Sequence, residues 1–200
     1  MRLAGQACLI VALACAVYGM LASLYGARSG RREWVASGRR AVYAMAGCTA
    51  VAFIILEAAF ERSDFGFALV ASHSSTTTPT FFRLTAMWSS QEGSLLLWLL
   101  LLGTWSSIIL FATRAKLRML APYATAILMG FGTFFASLLV FAESPFGASP
   151  VTPAEGAGLE PLLRDPLMMI HPPMLYSGYT LFTIPFAFAA AALITRRVDA

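Results

Sequence analysis

The chain has 200 residues, of which 58% are hydrophobic and only 12% are charged. A soluble globular domain usually has about 25% charged residues, so this composition excludes a water-soluble protein with an ordinary charged surface. The formal net charge of +4 comes from 14 Lys and Arg against 10 Asp and Glu, and the placement of these charges along the chain, described below, indicates membrane orientation and no nucleic-acid binding.

Five apolar segments are long enough to cross roughly 30 Å of hydrocarbon as helices. In chain order they cover residues 3–25, 41–60, 94–112, 123–142 and 174–195. Glu57 is the charged residue inside them, and it lies near one end of its segment, where water or a partner is within reach. The sequence therefore predicts an all-α, polytopic integral membrane protein with five transmembrane helices and the lipid bilayer as its main solvent.

The basic residues indicate how these helices are oriented. If the chain starts outside, the segments after the first, third and fifth spans face the cytoplasm, and they hold ten of the 14 Lys and Arg, whereas the outer side holds four. Short cytoplasmic loops are enriched in Lys and Arg, so we predict that the N-terminus lies outside and the C-terminus lies in the cytoplasm. The ten inner residues are Arg28, Arg31, Arg32, Arg39, Arg40, Arg114, Lys116, Arg118, Arg196 and Arg197.

Two loops on the predicted outer side, about residues 61–93 and 143–173, are much longer than the inner loops. Connections between packed helices usually have about 2 to 8 residues, so long loops on one face indicate function on that face. In the first loop, the apolar residues between Phe81 and Trp88 have a spacing compatible with a short helix lying in the membrane interface. An irregular surface loop held by aromatic anchors is an equally good interpretation.

The cysteines indicate no metal or haem attachment site. Cys8, Cys15 and Cys48 all fall in predicted spans, and the sequence has no C-x-x-C pair and no C-x-x-C-H motif, so the chain is not itself a c-type cytochrome. Glycine-rich phosphate loops, zinc-ligand spacing and nucleophile elbows are also absent from the sequence. We therefore predict no catalytic residue of the soluble-enzyme type.

Both histidines of the chain, His73 and His171, fall in the predicted outer loops. Histidine is the usual neutral nitrogen ligand for metals and for haem iron. Because His171 directly precedes Pro172 and Pro173, and proline fits the first turn of a helix, we expect His171 at the N-terminus of the fifth helix, where the helix dipole favours a neutral ring. His73 lies in a Ser and Thr run that favours local turn hydrogen bonds, and we interpret it as an ordinary polar residue.

Aromatic residues near the third and fifth spans have two interpretations each. Trp98 and Trp105 are seven residues apart and lie on one helical face, where helix packing is favoured over a flat wall for a large planar ligand. Tyr176 and Tyr179 fit an aromatic belt at the membrane boundary. Pro185 is expected to bend the fifth helix, which opens a cavity or adapts the helix to its neighbours.

Two longer motifs carry a resemblance to a known family. They are HSSTTTPTFFRLTAMWSSQEGSLLLW at residues 73–98 and PLLRDPLMMIHPPMLYSGY at residues 161–179. In their order and spacing, both resemble the N-terminal region of the CcmF family, the haem-lyase components of cytochrome c maturation. This family belongs to a wider haem-handling superfamily that includes the CcsA-type proteins. The resemblance covers nearly the whole chain.

The resemblance implies a multi-pass protein of the bacterial cytoplasmic (inner) membrane whose functional loops face outside. The complete protein would take haem b from the haem chaperone CcmE and join it to apocytochrome c, together with other cytochrome c maturation subunits. His171 would be one of two axial ligands of the iron in this substrate haem. Trp88, Trp98, Arg83 and Tyr176 would form the environment of the haem.

Two features depart from the family pattern. The tryptophan-rich haem-binding segment expected shortly after the fifth span does not occur in the 200 residues. We therefore expect residues 1–200 to be the N-terminal part of a multi-spanning cytochrome c assembly domain, either a piece or one half of a split protein, with haem lyase (holocytochrome c synthetase-type) activity only in the complete protein. Gln91 stands where many relatives have histidine before E-G-S, so no haem role is assigned there.

Two other functions remain open at this stage. A membrane transporter would show internal repeats, broken spans and polar residues at the bilayer midplane, of which only Pro185 and scattered glycines are visible. A structural subunit of a haem-handling complex is compatible with two histidines in the outer loops.

Overall fold

The computed structural model of the chain describes residues 1–114 and 117–196, which leaves Lys116 and Arg197 of the predicted inner charges outside the described residues. Helices dominate this part of the chain. The long helices are α1 (Arg2–Ser29), α2 (Arg32–Glu61), α5 (Gln91–Ala112), α6 (Ala121–Phe141) and α7 (Pro166–Thr195). The short ones are α3 (Ala68–His73), α4 (Thr80–Ala86) and two 3₁₀ turns, Met87–Ser89 and Pro161–Leu163.

Five helices in the described ranges are long and apolar enough to cross a membrane, which confirms the predicted spans. Two of them begin well before the span predicted from hydropathy. α2 begins at Arg32 and not at residue 41, and α7 begins at Pro166 and not at residue 174. For α2 the reason is that an apolar run marks only the part of a helix that lies in hydrocarbon, whereas the backbone hydrogen bonds continue through the polar residues beside it. For α7 the reason is that Pro172 and Pro173 do not mark the first turn but lie inside a helix that begins at Pro166.

Small residues bring α1 and α2 into close contact. A Cβ atom added at Gly38 would lie 2.1 Å from the hydroxyl oxygen of Ser23, and one added at Gly26 would lie 2.8 Å from the backbone nitrogen of Val35. Close backbone approach at small residues is the usual way in which membrane helices associate, because the hydrophobic effect offers little driving force between them in lipid. These glycines therefore allow the first two spans to pack closely.

α7 lies at the edge of the bundle. It packs against α5 and α6 through residues that include Ile184, Ala187 and Ala191, and it continues through all three of its internal prolines. Only 22% of its most apolar window is buried, against 44% for α6. Most of the apolar surface of α7 is therefore left for lipid or for another polypeptide.

The two long loops, which are called the outer loops after the side predicted from the charges, form a single layer over one end of the bundle. A short helix does form where the sequence suggested one, at Thr80–Ala86, and a 3₁₀ turn follows it. The loops are joined by four backbone hydrogen bonds: Ala68 N to Gly147 O (3.0 Å), Ser149 N to Gly66 O (3.0 Å), Ala157 N to Ala71 O (2.8 Å) and Gly158 N to Ser74 O (3.1 Å). This layer limits the freedom of both loops, so the residues that they carry have defined positions.

Glu155 closes the same layer from the second loop to the first. Its Oε1 accepts a hydrogen bond of 2.8 Å from the backbone N–H of Thr76, and its Oε2 accepts one from the Thr76 hydroxyl. These hydrogen bonds favour the ionised carboxylate and lower the pKa of Glu155 from its ordinary value of 4.5.

We expect the stabilising effect of Glu155 to depend on pH. Because the pKa is lower in the folded protein than in the unfolded chain, the contribution is complete above pH 4.5 and is lost as the pH falls below that value. Glu155→Gln should therefore lower the melting temperature at neutral pH and have a smaller effect at about pH 3.5. Glu160→Gln, at an exposed carboxylate, is the control. A difference for Glu155→Gln that stays constant across this pH range would contradict the prediction.

Candidate functional site

α7 begins at Pro166, and the residue before it, Asp165, caps the helix. Oδ1 of Asp165 accepts hydrogen bonds from the backbone N–H groups of Leu167 (2.8 Å) and Met168 (3.4 Å), and Pro166 occupies the first helical position. Asp followed by Pro is a regular helix-start signal, and it was readable in the sequence.

The prediction that His171 lies at the helix N-terminus is therefore wrong in detail. His171 is the sixth residue of α7, and Pro172 and Pro173 lie inside the helix. The effect of the helix dipole falls off within the first turn, so it gives no support for a neutral ring at this position. His171 does lie near the start of the fifth long helix, and the side of the membrane on which this end lies stays a prediction.

Because of Pro173, the backbone carbonyl of Met169 lacks its usual partner within the helix, and Trp88 donates a hydrogen bond to it. In a regular helix the N–H of residue 173 would bond the carbonyl of Met169, but proline has no N–H to donate. The indole Nε1 of Trp88 donates to this Met169 carbonyl at 3.1 Å. The two residues are 81 positions apart in the chain, so this bond ties the 3₁₀ turn of the first outer loop to the start of α7.

Trp88→Phe should destabilise the protein by about 1 to 3 kcal/mol, because it leaves a partly buried carbonyl without a partner. The same change in a Pro173→Ala background should cost clearly less, since the new N–H of residue 173 can bond Met169. Unfolding in detergent, measured for both single variants and the double variant, checks this coupling. Trp34→Phe, at an exposed indole on the other end of the bundle, is the matched control. Additive effects of the two substitutions would contradict the proposed link.

Trp98 lies in an aromatic cluster between α5, α6 and α7. Its ring centroid is 5.2 Å from that of Phe135, 5.4 Å from that of Tyr176 and 6.1 Å from that of Tyr179. The hydroxyl oxygens of Tyr176 and Ser94 are 3.3 Å apart. The structure thus brings Trp98 and Tyr176 together, and the contacts of Trp98 with rings of α6 and α7 fit the helix-packing role that its spacing favoured.

His171 lies on the side of α7 opposite the buried Met169. It is two positions from Met169, which is buried, and two helical positions are about 200° apart around the axis. The imidazole is exposed, as are Met174 and Phe182 further along the same side of α7, with exposed fractions of 69% and 76%. His171 therefore begins an apolar face of α7 that no described part of the chain covers.

Arg83 is not part of this arrangement. Its guanidinium donates to the carbonyl of Glu61 (3.3 Å), to the hydroxyl of Ser63 (3.1 Å) and to the hydroxyl of Thr80 (3.0 Å). These bonds connect α4 to the end of α2, which gives Arg83 a structural role that its position in the sequence did not reveal.

His73 is the last residue of α3 and not a residue of an irregular turn. Its Nδ1 is 3.2 Å from the carbonyl oxygen of Leu69 and 2.8 Å from the hydroxyl of Ser72, and the imidazole lines a cavity of about 400 Å³ between the two outer loops. Within residues 1–114 and 117–196, no three His, Cys, Asp or Glu side chains converge as they would at a metal-ion site.

Comparison with known proteins identifies close relatives. Residues 88–199 match the family described as cytochrome c assembly protein. The chain is 39% identical to the cytochrome c-type biogenesis protein CcmF of Pseudomonas aeruginosa and 38% identical to that of Escherichia coli, each over 197 residues and 98% of the chain. It spans about 30% of the length of these curated relatives.

A solved structure described as cytochrome c heme lyase CcmF has the same fold over the chain. The TM-score is 0.85 at 29% sequence identity, and the match covers 98% of this chain and 31% of the solved one. The likeness therefore extends over all five spans and both outer loops.

Proposed function

Because this chain belongs to the cytochrome c assembly protein family, we propose that it handles haem b for attachment to apocytochrome c on the outer side of the bacterial cytoplasmic membrane. In this proposal the haem arrives from the haem chaperone CcmE, and further maturation subunits complete the assembly. The names of the relatives support a role in cytochrome c biogenesis, and the name of the solved structure, a cytochrome c heme lyase, supports covalent attachment of haem.

One observation carries the proposal for the site. His171 is exposed at one end of α7, next to a helical turn that is held in place by the Trp88 to Met169 hydrogen bond. An imidazole on a fixed turn is suited to axial ligation, because a ligand must be positioned before the iron arrives. The two motifs that resemble the family, around Trp88 and around His171, meet at this bond.

The surface beside His171 fits the chemistry of a porphyrin. The uncovered side of α7 presents Met174, Leu175 and Phe182, which are apolar and exposed. An apolar planar ring can lie against such a surface while His171 binds the iron on one face. We propose that a second imidazole from outside residues 1–200 binds the other face, and that haem orientation lets each cysteine S–H of apocytochrome c add across a vinyl double bond.

The other predicted site residues stabilise the position of α7 through contacts with neighbouring elements. Trp88 holds the start of α7 to the 3₁₀ turn that precedes the third span, Tyr176 lies within hydrogen-bond distance of Ser94 in that span, and Trp98 packs against Tyr176. They act on the haem through the position of His171. Arg83 acts one step further away, by holding α4 against α2.

The proposal is tested by the visible spectrum of the protein isolated from membranes together with its maturation partners. We expect a Soret band that shifts on reduction, as for histidine-ligated haem iron. Protein that is folded, complexed with its partners and free of haem would contradict the proposal.

We also expect a defined orientation in the membrane. Reporters placed after Gly30, Ser75 and Gly156 should give a cytoplasmic signal at Gly30 and an external signal at the other two positions, because the basic residues cluster on the side of Gly30. A cytoplasmic signal after Ser75 would place His171 on the wrong side for apocytochrome c and would overturn the proposal.

A further inference from the structure

A second cavity lies at the end of the bundle opposite His171. It has a volume of about 790 Å³ and is bordered by the end of α1, the start of α2, the end of α5 and the residues leading into α6. Thr195, the last residue of α7, also lines it. The cavity is therefore at the level where the spans leave the membrane, on the side with most of the Lys and Arg.

The lining of this cavity is both basic and apolar. Four guanidinium groups border it, and none of the described residues that line it is acidic. Apolar side chains such as Val35 and Met119 form other parts of the wall. The four basic residues are Arg32, Arg39, Arg114 and Arg118. This combination matches a molecule with an anionic group at one end and apolar chains at the other.

Two of the four basic residues have contacts that restrict their side chains. Arg39 is half-buried on α2, and the guanidinium of Arg114 lies over the ring of Phe111, 4.1 Å from its centroid. A guanidinium above an aromatic face is attracted to it, which restricts the Arg114 side chain. Gly26 allows α1 and α2 to meet at the wall, since a Cβ atom there would lie 2.8 Å from the Val35 nitrogen.

We propose that this cavity binds the headgroup phosphate of an anionic phospholipid from the leaflet to which it opens. One guanidinium can donate two parallel hydrogen bonds to the oxygens of a phosphate. Basic pockets between membrane helices at the cytoplasmic side bind anionic headgroups. The acyl chains then follow the apolar walls into the bilayer. A lipid in this position also contacts the end of α7 and so links the inner ends of the spans.

The test compares lipid retention by two double variants of the full chain. The protein is equilibrated with equal amounts of phosphatidylglycerol and phosphatidylcholine in mixed micelles, and bound lipid is measured by native mass spectrometry. Wild type should retain phosphatidylglycerol selectively. Arg39→Gln with Arg114→Gln should reduce this selectivity on the order of 10-fold. Arg28→Gln with Arg40→Gln removes the same charge from exposed positions at the same end and should leave selectivity unchanged.

Three results would overturn the proposal. They are equal losses in the two double variants, full retention in the cavity variant, or displacement of the lipid by excess inorganic phosphate. A phosphatidylglycerol analogue with a photoreactive headgroup provides an independent measurement on the unmodified chain. It should label the segments around residues 26–39 and 110–125, and labelling spread over the outer loops would equally refute the site.

Discussion

His171→Ala is expected to reduce holocytochrome c formation at least about 10-fold in a host strain that produces this variant in place of the wild-type protein. Substitutions of residues that merely orient a metal ligand already cost about 10- to 100-fold in affinity or activity, and His171 is proposed to be the ligand itself. His171 is exposed and its ring has no role in packing α7 against α5 and α6, so the substitution should leave the fold intact. Covalent haem in membrane proteins, visualised by haem staining after denaturing electrophoresis, measures the effect.

The control is the other histidine. His73→Ala removes an imidazole from the same outer layer, but one whose Nδ1 already has a backbone partner. We expect a much smaller loss of cytochrome c from it. Added imidazole should partly restore the Soret band of His171→Ala, since free imidazole can occupy an open axial position. Normal cytochrome c in the His171→Ala strain, or equal losses in both variants, would exclude the ligand role.

Gly93→Ala is expected to destabilise the protein by about 2 to 4 kcal/mol. An added Cβ atom would lie 1.8 Å from the carbonyl oxygen of Met87, which is backbone and cannot rotate away. The same region holds the N-cap of α5, where the Ser90 hydroxyl accepts from the Gly93 N–H at 3.0 Å. The 3₁₀ turn and α5 would have to separate, and the cap would be lost with them. The yield of inserted protein and its unfolding in detergent measure the effect.

Ser94, the residue after Gly93, shows why Gly93→Ala should also disturb the candidate site around His171. The Ser94 hydroxyl donates to the carbonyl of Trp88 at 2.9 Å. The start of α5 therefore positions Trp88, whose indole in turn bonds the start of α7. Gly47→Ala is the control, because a Cβ atom there would have no neighbour within 4 Å. It should be neutral or slightly stabilising, as alanine favours helix more than glycine does. Similar losses from both substitutions would contradict the prediction, because only the alanine at residue 93 meets the Met87 carbonyl.

The short segment from Gln91 to Ser94 has a structural role that its sequence motif does not indicate. In the sequence it is notable only for its resemblance to the CcmF family, and no haem role is assigned to Gln91, which stands where many relatives have histidine. In the structure, Gly93 and Ser94 are positions of close backbone approach and of hydrogen bonding to the turn that carries Trp88. Their contribution to the site is to hold other residues in place.

The sequence by itself determined the helical class and the five spans. In hydrocarbon each backbone N–H and C=O must be bonded within the protein, so a long apolar segment has helix as its solution whatever its neighbours are. Side-chain spacing also placed Trp98 on a packing face, and the structure confirms this with rings from α6 and α7. The orientation in the membrane and the ligand role of His171 stay predictions.

Only the tertiary structure decided which residues meet. Spacing along a helix tells which side chains share a face, but it carries no information about the partner of that face. The bond from Trp88 to the carbonyl freed by Pro173 joins residues 81 positions apart, and the bonds of Arg83 to Glu61 and Ser63 cross between two helices. Such contacts follow from how the five helices pack, and that packing depends on all of them at once.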